Sequence, residues 1–91
     1  MKTLVIISRA HSETAFRLSE EIFKDGEGIA IIFTGRGTHC LNRPEIIEKL
    51  SFADLFTFAS EFDSTRDEIT AIDYQEFVEI LEDSERTFSW I

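Results

Sequence analysis

A chain of 91 residues is long enough for one domain, but its core is thin, because a chain of this size buries only about 60–65% of its unfolded surface. Its net charge of −9 argues against broad binding to nucleic acid, which needs a basic face. Cys40 is the only cysteine and the apolar run at the N-terminus is short, so we expect no internal disulfide, signal peptide or membrane span. The composition predicts one soluble domain, residues 1–91, in the cytoplasm.

The first third of the chain has the pattern of a strand–helix–strand unit. Leu4–Ile7 and Ile29–Phe33 are continuously apolar, as are strands buried on both faces of a parallel sheet. An amphipathic helix is predicted between them, with Ala15, Leu18 and Ile22 on one face and Phe16, Ser19 and Phe23 beside that face. Ser12 is placed to cap the start of this helix and Gly26 its end. We expect the crossover to be right-handed.

The next segment, Gly35 to Arg43, combines two glycines, two arginines, a histidine and the cysteine. Pro44 then begins a short predicted helix that runs through Leu50, with Asn42 or Arg43 as its cap. The residues of this helix predicted to pack inward are Ile46, Ile47 and Leu50.

Two further strands are predicted at residues 55–59 and 69–72. The link from Ser60 to Glu68 is short for a helical crossover, which usually takes a dozen or more residues. The sequence therefore leaves open whether these two strands are parallel or antiparallel. The predicted fold class is α/β, with a mostly parallel sheet of four or five strands flanked by helices.

The C-terminal region predicts the clearest helix of the chain. Asp73 and Glu76 have the spacing of a capping box. The predicted inward stripe of this helix consists of Tyr74, Phe77, Val78 and Leu81. Residues 87–91 alternate in polarity and predict a terminal strand or a docked tail.

Several chemically active side chains follow the first two predicted strands. Ligands bind beyond the carboxyl ends of parallel strands, and the side chains predicted to share that edge are Arg9, His11, Arg36, His39, Cys40 and Arg43. A helix N-terminus and nearby cations favour the thiolate of Cys40, which is the nucleophilic form. The alternative is that Cys40 is a small buried core residue.

Two sets of candidate site residues follow from this edge. The catalytic set is Cys40, His39 and Arg36. The window from Thr34 to Arg43 holds two arginines and no acid, and the anion-binding set predicted from it and from the first loop is Arg9, His11, Arg36, Gly37 and Arg43. Neither a metal site nor a cofactor is predicted.

The C-terminal residues also carry a family resemblance. Residues 72–81, Ile-Asp-Tyr-Gln-Glu-Phe-Val-Glu-Ile-Leu, followed by Ser89-Trp90, resemble the ending of DsrH/TusB proteins in the DsrE-like sulfur-relay superfamily. The resemblance implies a DsrE-like α/β subunit that assembles with DsrE-like and DsrF-like subunits or with itself. Such complexes exchange persulfide sulfur with donor or acceptor proteins, toward tRNA 2-thiouridine synthesis or in sulfur oxidation.

The chain departs from that family at two places that bear on function. The main carrier cysteine of the family belongs to the DsrE-type subunit, and some DsrH proteins have another in the first helix, where this chain has Ala15, Phe16 and Leu18. Cys40 therefore inherits no role from the resemblance. After the second strand, many relatives read Asp-Gly where this chain has Arg36-Gly37, which reverses the charge.

Three hypotheses about function follow. The leading one is a sulfur-relay subunit with Cys40 as persulfide carrier, in which Arg36 and Arg43 favour the anion and His39 or His11 moves a proton. The second is a non-catalytic assembly subunit whose phenylalanine-rich surface and Trp90 build an oligomer interface. The third is a small-anion or nucleotide-binding module that uses Arg9, Arg36 and a helix N-terminus.

Overall fold

The computed structural model describes residues 2–62 and 66–90, and these form a five-stranded sheet with helices on both faces. The elements in chain order are β1 (Lys2–Ile7), α1 (Glu13–Lys24), β2 (Gly28–Phe33), a 3₁₀-helix (Gly35–Asn42), α2 (Pro44–Lys49), β3 (Asp54–Phe58), β4 (Ile69–Ile72), α3 (Tyr74–Asp83) and β5 (Arg86–Trp90). The strand order is β4-β3-β2-β1-β5, and every pair of neighbours is parallel. The predicted α/β fold is confirmed.

The orientation of β3 and β4, which the sequence left open, is parallel. Leu55 lies opposite Ile69 and Phe58 opposite Ile72. The connection leaves β3 through a tight turn in which the amide of Glu61 donates to the carbonyl of Phe58 over 3.0 Å. Residues 63–65 of this connection lie outside the described part of the chain.

One face of the sheet carries the larger part of the core. Val5, Ile31 and Leu55 lie in register on this face, which α1 and α2 cover. The α1 residues buried there are Ala15, Phe16, Ser19 and Ile22, and the α2 residues are Ile46 and Ile47. The predicted face of α1 is wrong at Leu18, which is 42% exposed, because the buried face is turned toward Phe16 and Ser19, and Phe23 is exposed as well.

The opposite face is covered more thinly. Its core cluster consists of Leu4, Ala30, Ile32 and Ile72. Helix α3 packs on this cluster through Phe77 and Ile80, yet none of the residues of α3, all of them described, is fully buried. Side chains on the sheet beside α3 therefore stay only partly buried, namely Ile6, Phe56 and Phe58.

The predicted inward stripe of α3 is wrong at its two ends. Tyr74 is 73% exposed and Leu81 38% exposed, whereas Phe77 and Val78 are half-buried. Ile80, which was not part of the predicted stripe, packs on the sheet. The apolar band of α3 is wider than the strip that one helix can bury on a sheet, so its edges remain in solvent.

The helix ends are partly as predicted. Asp73 and Glu76 form the capping box of α3, with the amide of Glu76 donating to Oδ1 of Asp73 over 2.8 Å. Gly26 follows the end of α1 with φ of +91°, a conformation that favours glycine. Ser12 occupies the capping position of α1, but its hydroxyl donates to the carbonyl of Arg9 over 2.8 Å and caps no amide.

Aromatic side chains divide between the core and the surface. Phe16 and Phe33 are fully buried, with ring centroids 6.3 Å apart, whereas Phe23 and Phe88 are substantially exposed. Trp90 is half-buried against the α1 side of the core, and its carbonyl accepts the amide of Ser8 over 3.0 Å. Within the described residues, no helix has the length and apolar character needed to cross a membrane.

Candidate functional site

The chain segments that follow β1 and β2 meet at one edge of the sheet, as the parallel topology requires. The last residues of the two strands, Ile7 and Phe33, lie side by side. The carbonyl of Ile7 accepts the amide of Thr34 over 2.9 Å, and Gly37 of the 3₁₀-helix packs against the same carbonyl. A Cβ atom at Gly37 would lie 2.1 Å from that oxygen, so the close approach requires glycine.

Cys40 lies beneath this edge and is fully buried. Its Sγ lies 3.5 Å from the carbonyl oxygen of Ala10, to which the thiol donates a weak hydrogen bond. Nη2 of Arg43 donates to the same oxygen over 3.1 Å. The loop after β1 therefore covers Cys40, and the guanidinium of Arg43 is held beside it.

Burial raises the pKa of the Cys40 thiol above its usual value, and the neighbouring Arg43 guanidinium opposes this only in part. The predicted stabilisation of the thiolate is therefore wrong for this conformation. The helix-terminus and cation effects were expected to dominate, but the loss of water around the sulfur outweighs them. The environment matches the alternative of a small buried core residue.

The residues predicted to share this edge form an inner and an outer group. Arg9, Ala10, His11 and Arg36 line a cleft of about 420 Å³, here called the arginine cleft. Cys40 and Arg43 form the inner group below the loop that carries Arg9 and Ala10. Of the remaining predicted residues, Gly37 is buried and His39 is exposed, and neither lines the cleft.

Glu61 belongs to this edge and was not predicted. Its carboxylate accepts the amide of Gly35 over 2.9 Å and the hydroxyl of Thr34 over 2.6 Å, at the start of the 3₁₀-helix. The amide of Gly35 therefore already has an internal carboxylate as its acceptor. Glu61 reaches this edge because β3 lies beside β2 and a tight turn follows β3. The sequence does not define that turn, so it gives no signal for Glu61.

A second cleft of about 490 Å³ lies away from this edge, near the start of β3. It is lined by Ile47, Glu48, Ser51, Ala53, Leu55 and Glu68. A hydrogen bond from Arg66 lowers the pKa of Glu68, whose carboxylate lies 2.7 Å from Nη2 of Arg66. Among the described residues, no group of three or more metal-ligating side chains is placed to hold a metal ion.

No family model matches the chain, and no curated protein matches it either. The resemblance of residues 72–81 and Ser89-Trp90 to DsrH/TusB proteins therefore stays a prediction from the sequence.

Proposed function

We propose that the chain is an assembly subunit of a cytoplasmic sulfur-relay system and does not itself carry sulfur. The observation that carries this proposal is the burial of Cys40, the only thiol of the chain, against the carbonyl of Ala10. Thiol exchange needs an accessible thiolate, and both access and ionisation are disfavoured at this sulfur. The resemblance of residues 72–90 to DsrH/TusB proteins supplies the sulfur-relay context.

An aromatic row on the α3 side supports a role in assembly. The ring centroids of Phe58 and Phe77 are 5.5 Å apart, and those of Phe77 and Tyr74 are 6.1 Å apart. The row runs from the sheet to Tyr74, the most exposed large apolar side chain described. Exposed aromatic rings that pack on partly buried ones are typical of protein interfaces.

The partners proposed are a DsrE-like and a DsrF-like subunit, with a second copy of this chain as the alternative. In this arrangement a partner provides the carrier cysteine. The chain contributes surface, and Cys40 stabilises the fold from within. The thin cover of the α3 face gives such a partner apolar surface to bury.

The burial of Cys40 is tested by alkylation with iodoacetamide, read by intact mass. We expect native protein to remain unlabelled while protein unfolded in urea gains one label. A matched control is His39→Cys combined with Cys40→Ala, which moves the thiol to the exposed neighbouring position on the same 3₁₀-helix. Native wild type that reacts as fast as this control, or gains a sulfur atom from a persulfide donor, would restore the carrier role.

The assembly role is tested by sedimentation velocity of the chain alone and mixed with DsrE-like and DsrF-like proteins. We expect a complex that forms equally well with Cys40→Ala and more weakly with Tyr74→Ala. Gln75→Ala, an exposed change on the same turn of α3, serves as the control and should assemble like wild type. A chain that stays monomeric in every mixture contradicts the proposal.

A further inference from the structure

We propose that the arginine cleft binds the phosphate group of a small phosphomonoester. The site goes beyond the proposed assembly role and needs no thiol. Arg9 and His11 come from the loop after β1, and Arg36 comes from the 3₁₀-helix after β2. These two segments leave the carboxyl edge of adjacent parallel strands, which is where open α/β sheets bind their ligands.

The charge of the cleft is the first argument. Its lining contains two guanidinium groups and an imidazole but no carboxylate, in a protein with a net charge of −9. Arg86 and Arg66 are each bonded to a glutamate, whereas among the described residues Arg9 and Arg36 have no carboxylate partner. A positive site that persists in an acidic protein concentrates anions locally.

The rigidity of the cleft is the second argument. The carbonyl of Arg9 accepts the hydroxyl of Ser12 over 2.8 Å, and the carbonyl of Ala10 accepts Nη2 of Arg43 over 3.1 Å. Cys40 supports the same stretch from below. The backbone that carries Arg9 is therefore fixed before a ligand arrives, which lowers the cost of ordering on binding.

The backbone donor next to Arg36, at the start of the 3₁₀-helix, already binds a carboxylate of the protein itself. The carboxylate of Glu61 accepts both the amide of Gly35 and the hydroxyl of Thr34. An internal carboxylate thus already occupies the backbone donor beside Arg36. An external anion is bound in the arginine cleft by side chains, and the predicted ligands Gly37 and Arg43 act as positioning residues.

The chemistry of the lining indicates the class of ligand. Planar guanidinium forks match the oxygens of phosphate, and two of them balance the charge of a phosphate dianion. The volume of about 420 Å³ falls among small-molecule sites and exceeds what a phosphate group alone fills. The remaining space suits the organic part of a phosphomonoester.

The test is calorimetric titration of the full chain with inorganic phosphate and, separately, with ribose 5-phosphate at the same ionic strength. We expect saturable binding of both, with tighter binding of the ester. Arg9→Gln and Arg36→Gln should each weaken binding about tenfold, the effect of losing one charge-assisted hydrogen bond. Arg17→Gln is the matched control, because Arg17 is exposed on α1 outside the cleft.

Tighter binding of the ester, weakened in the two cleft variants alone, supports the proposal, whereas equal affinity for both compounds overturns its ester part and leaves a site for free phosphate. If Arg17→Gln weakens binding as much as Arg36→Gln does, the anion is attracted only by the overall charge of the protein, and the proposal is overturned. Absence of saturable binding to wild type overturns it as well. Circular dichroism of each variant confirms that the fold is retained.

Discussion

Two backbone carbonyls determine which side chains are tolerated after β2. The oxygen of Ile7 accepts the amide of Thr34 and leaves no room for a side chain at Gly37. The oxygen of Ala10 accepts both the thiol of Cys40 and the guanidinium of Arg43. The side chains at positions 37, 40 and 43 are therefore constrained by the path of the chain at and after the end of β1.

Gly37→Ala tests the first of these contacts. The added Cβ would lie 2.1 Å from the oxygen and 2.7 Å from the carbon of the Ile7 carbonyl, both of which are backbone atoms. We expect the free energy of unfolding to fall by about 1–3 kcal/mol, the usual cost of overpacking. Gly28→Ala, at an exposed position at the start of β2, should change it by less than about 0.5 kcal/mol. Urea unfolding measures both, and equal effects would show that the 3₁₀-helix moves away freely.

The burial of Cys40 predicts a pH dependence of stability. Because burial raises the pKa of the thiol, the folded chain keeps this proton where the unfolded chain, with a pKa near about 8.5, releases it. The folded state then binds more protons, so the free energy of unfolding falls as pH rises above about 8.5, by at most about 1.4 kcal/mol per unit. We expect a steeper fall in wild type than in Cys40→Ala, measured by urea unfolding across this range. Parallel slopes would contradict the burial of the thiol.

At the scale of the elements, α3 depends on its cap to an unusual degree. The helix buries no residue fully and contacts the sheet through Phe77 and Ile80. Its first turn is fixed by the reciprocal bonds of Asp73 and Glu76, at 2.8 and 3.2 Å. The cap therefore contributes a larger share of the stability of this helix than it would for a buried one.

Asp73→Ala removes the side-chain oxygen that caps the amide of Glu76, but it keeps the backbone amide of residue 73, which donates to the Glu76 carboxylate. We expect a loss of about 1 kcal/mol in the free energy of unfolding, within the range measured for helix caps. Asp73→Asn keeps a side-chain oxygen at the cap, so its free energy of unfolding should fall much less. Urea unfolding gives the stability, and amide hydrogen exchange of α3 shows whether the loss is local. Unchanged exchange in α3 of Asp73→Ala would argue against this role of the cap.

The predicted elements and the observed ones agree where the pattern of the chain has only one solution. The apolar runs of β1 and β2 had to be buried on both faces. The alternation of residues 87–91 also allowed a docked tail, and the parallel pairing of β5 with β1 decides for the strand. The inward face of α3 had two solutions, since stripes through Tyr74 or through Ile80 are both apolar. The observed choice depends on the sheet beneath the helix, which local spacing does not encode.

The same distinction applies to the candidate site. That Arg9, His11 and Arg36 meet follows from two adjacent parallel strands, and the sequence predicts it. The burial of Cys40 depends on the carbonyl of Ala10, thirty residues away along the chain. Glu61 is a similarly distant contact, made possible by the turn after β3. Contacts of this kind have no local pattern in the sequence.

At the scale of the whole molecule, the dominant feature is the excess of negative charge. The chain has 18 acidic residues against 9 lysines and arginines. The ion pairs within the described residues are side-chain contacts such as Lys24 with Glu20, at 3.5 Å on the exposed face of α1. Exposed pairs of this kind contribute little, so repulsion among the remaining carboxylates outweighs them.

Repulsion predicts that salt stabilises this protein. Raising NaCl from about 0.01 to about 0.1 M shortens the Debye length from about 30 to about 10 Å and screens the repulsion more than the contact pairs. We expect the midpoint of thermal unfolding to rise with NaCl. Glu79→Gln combined with Glu82→Gln removes two exposed negative charges from α3 and should flatten that rise. A midpoint that falls with salt would show that the ion pairs, and not the repulsion, dominate the electrostatics of the fold.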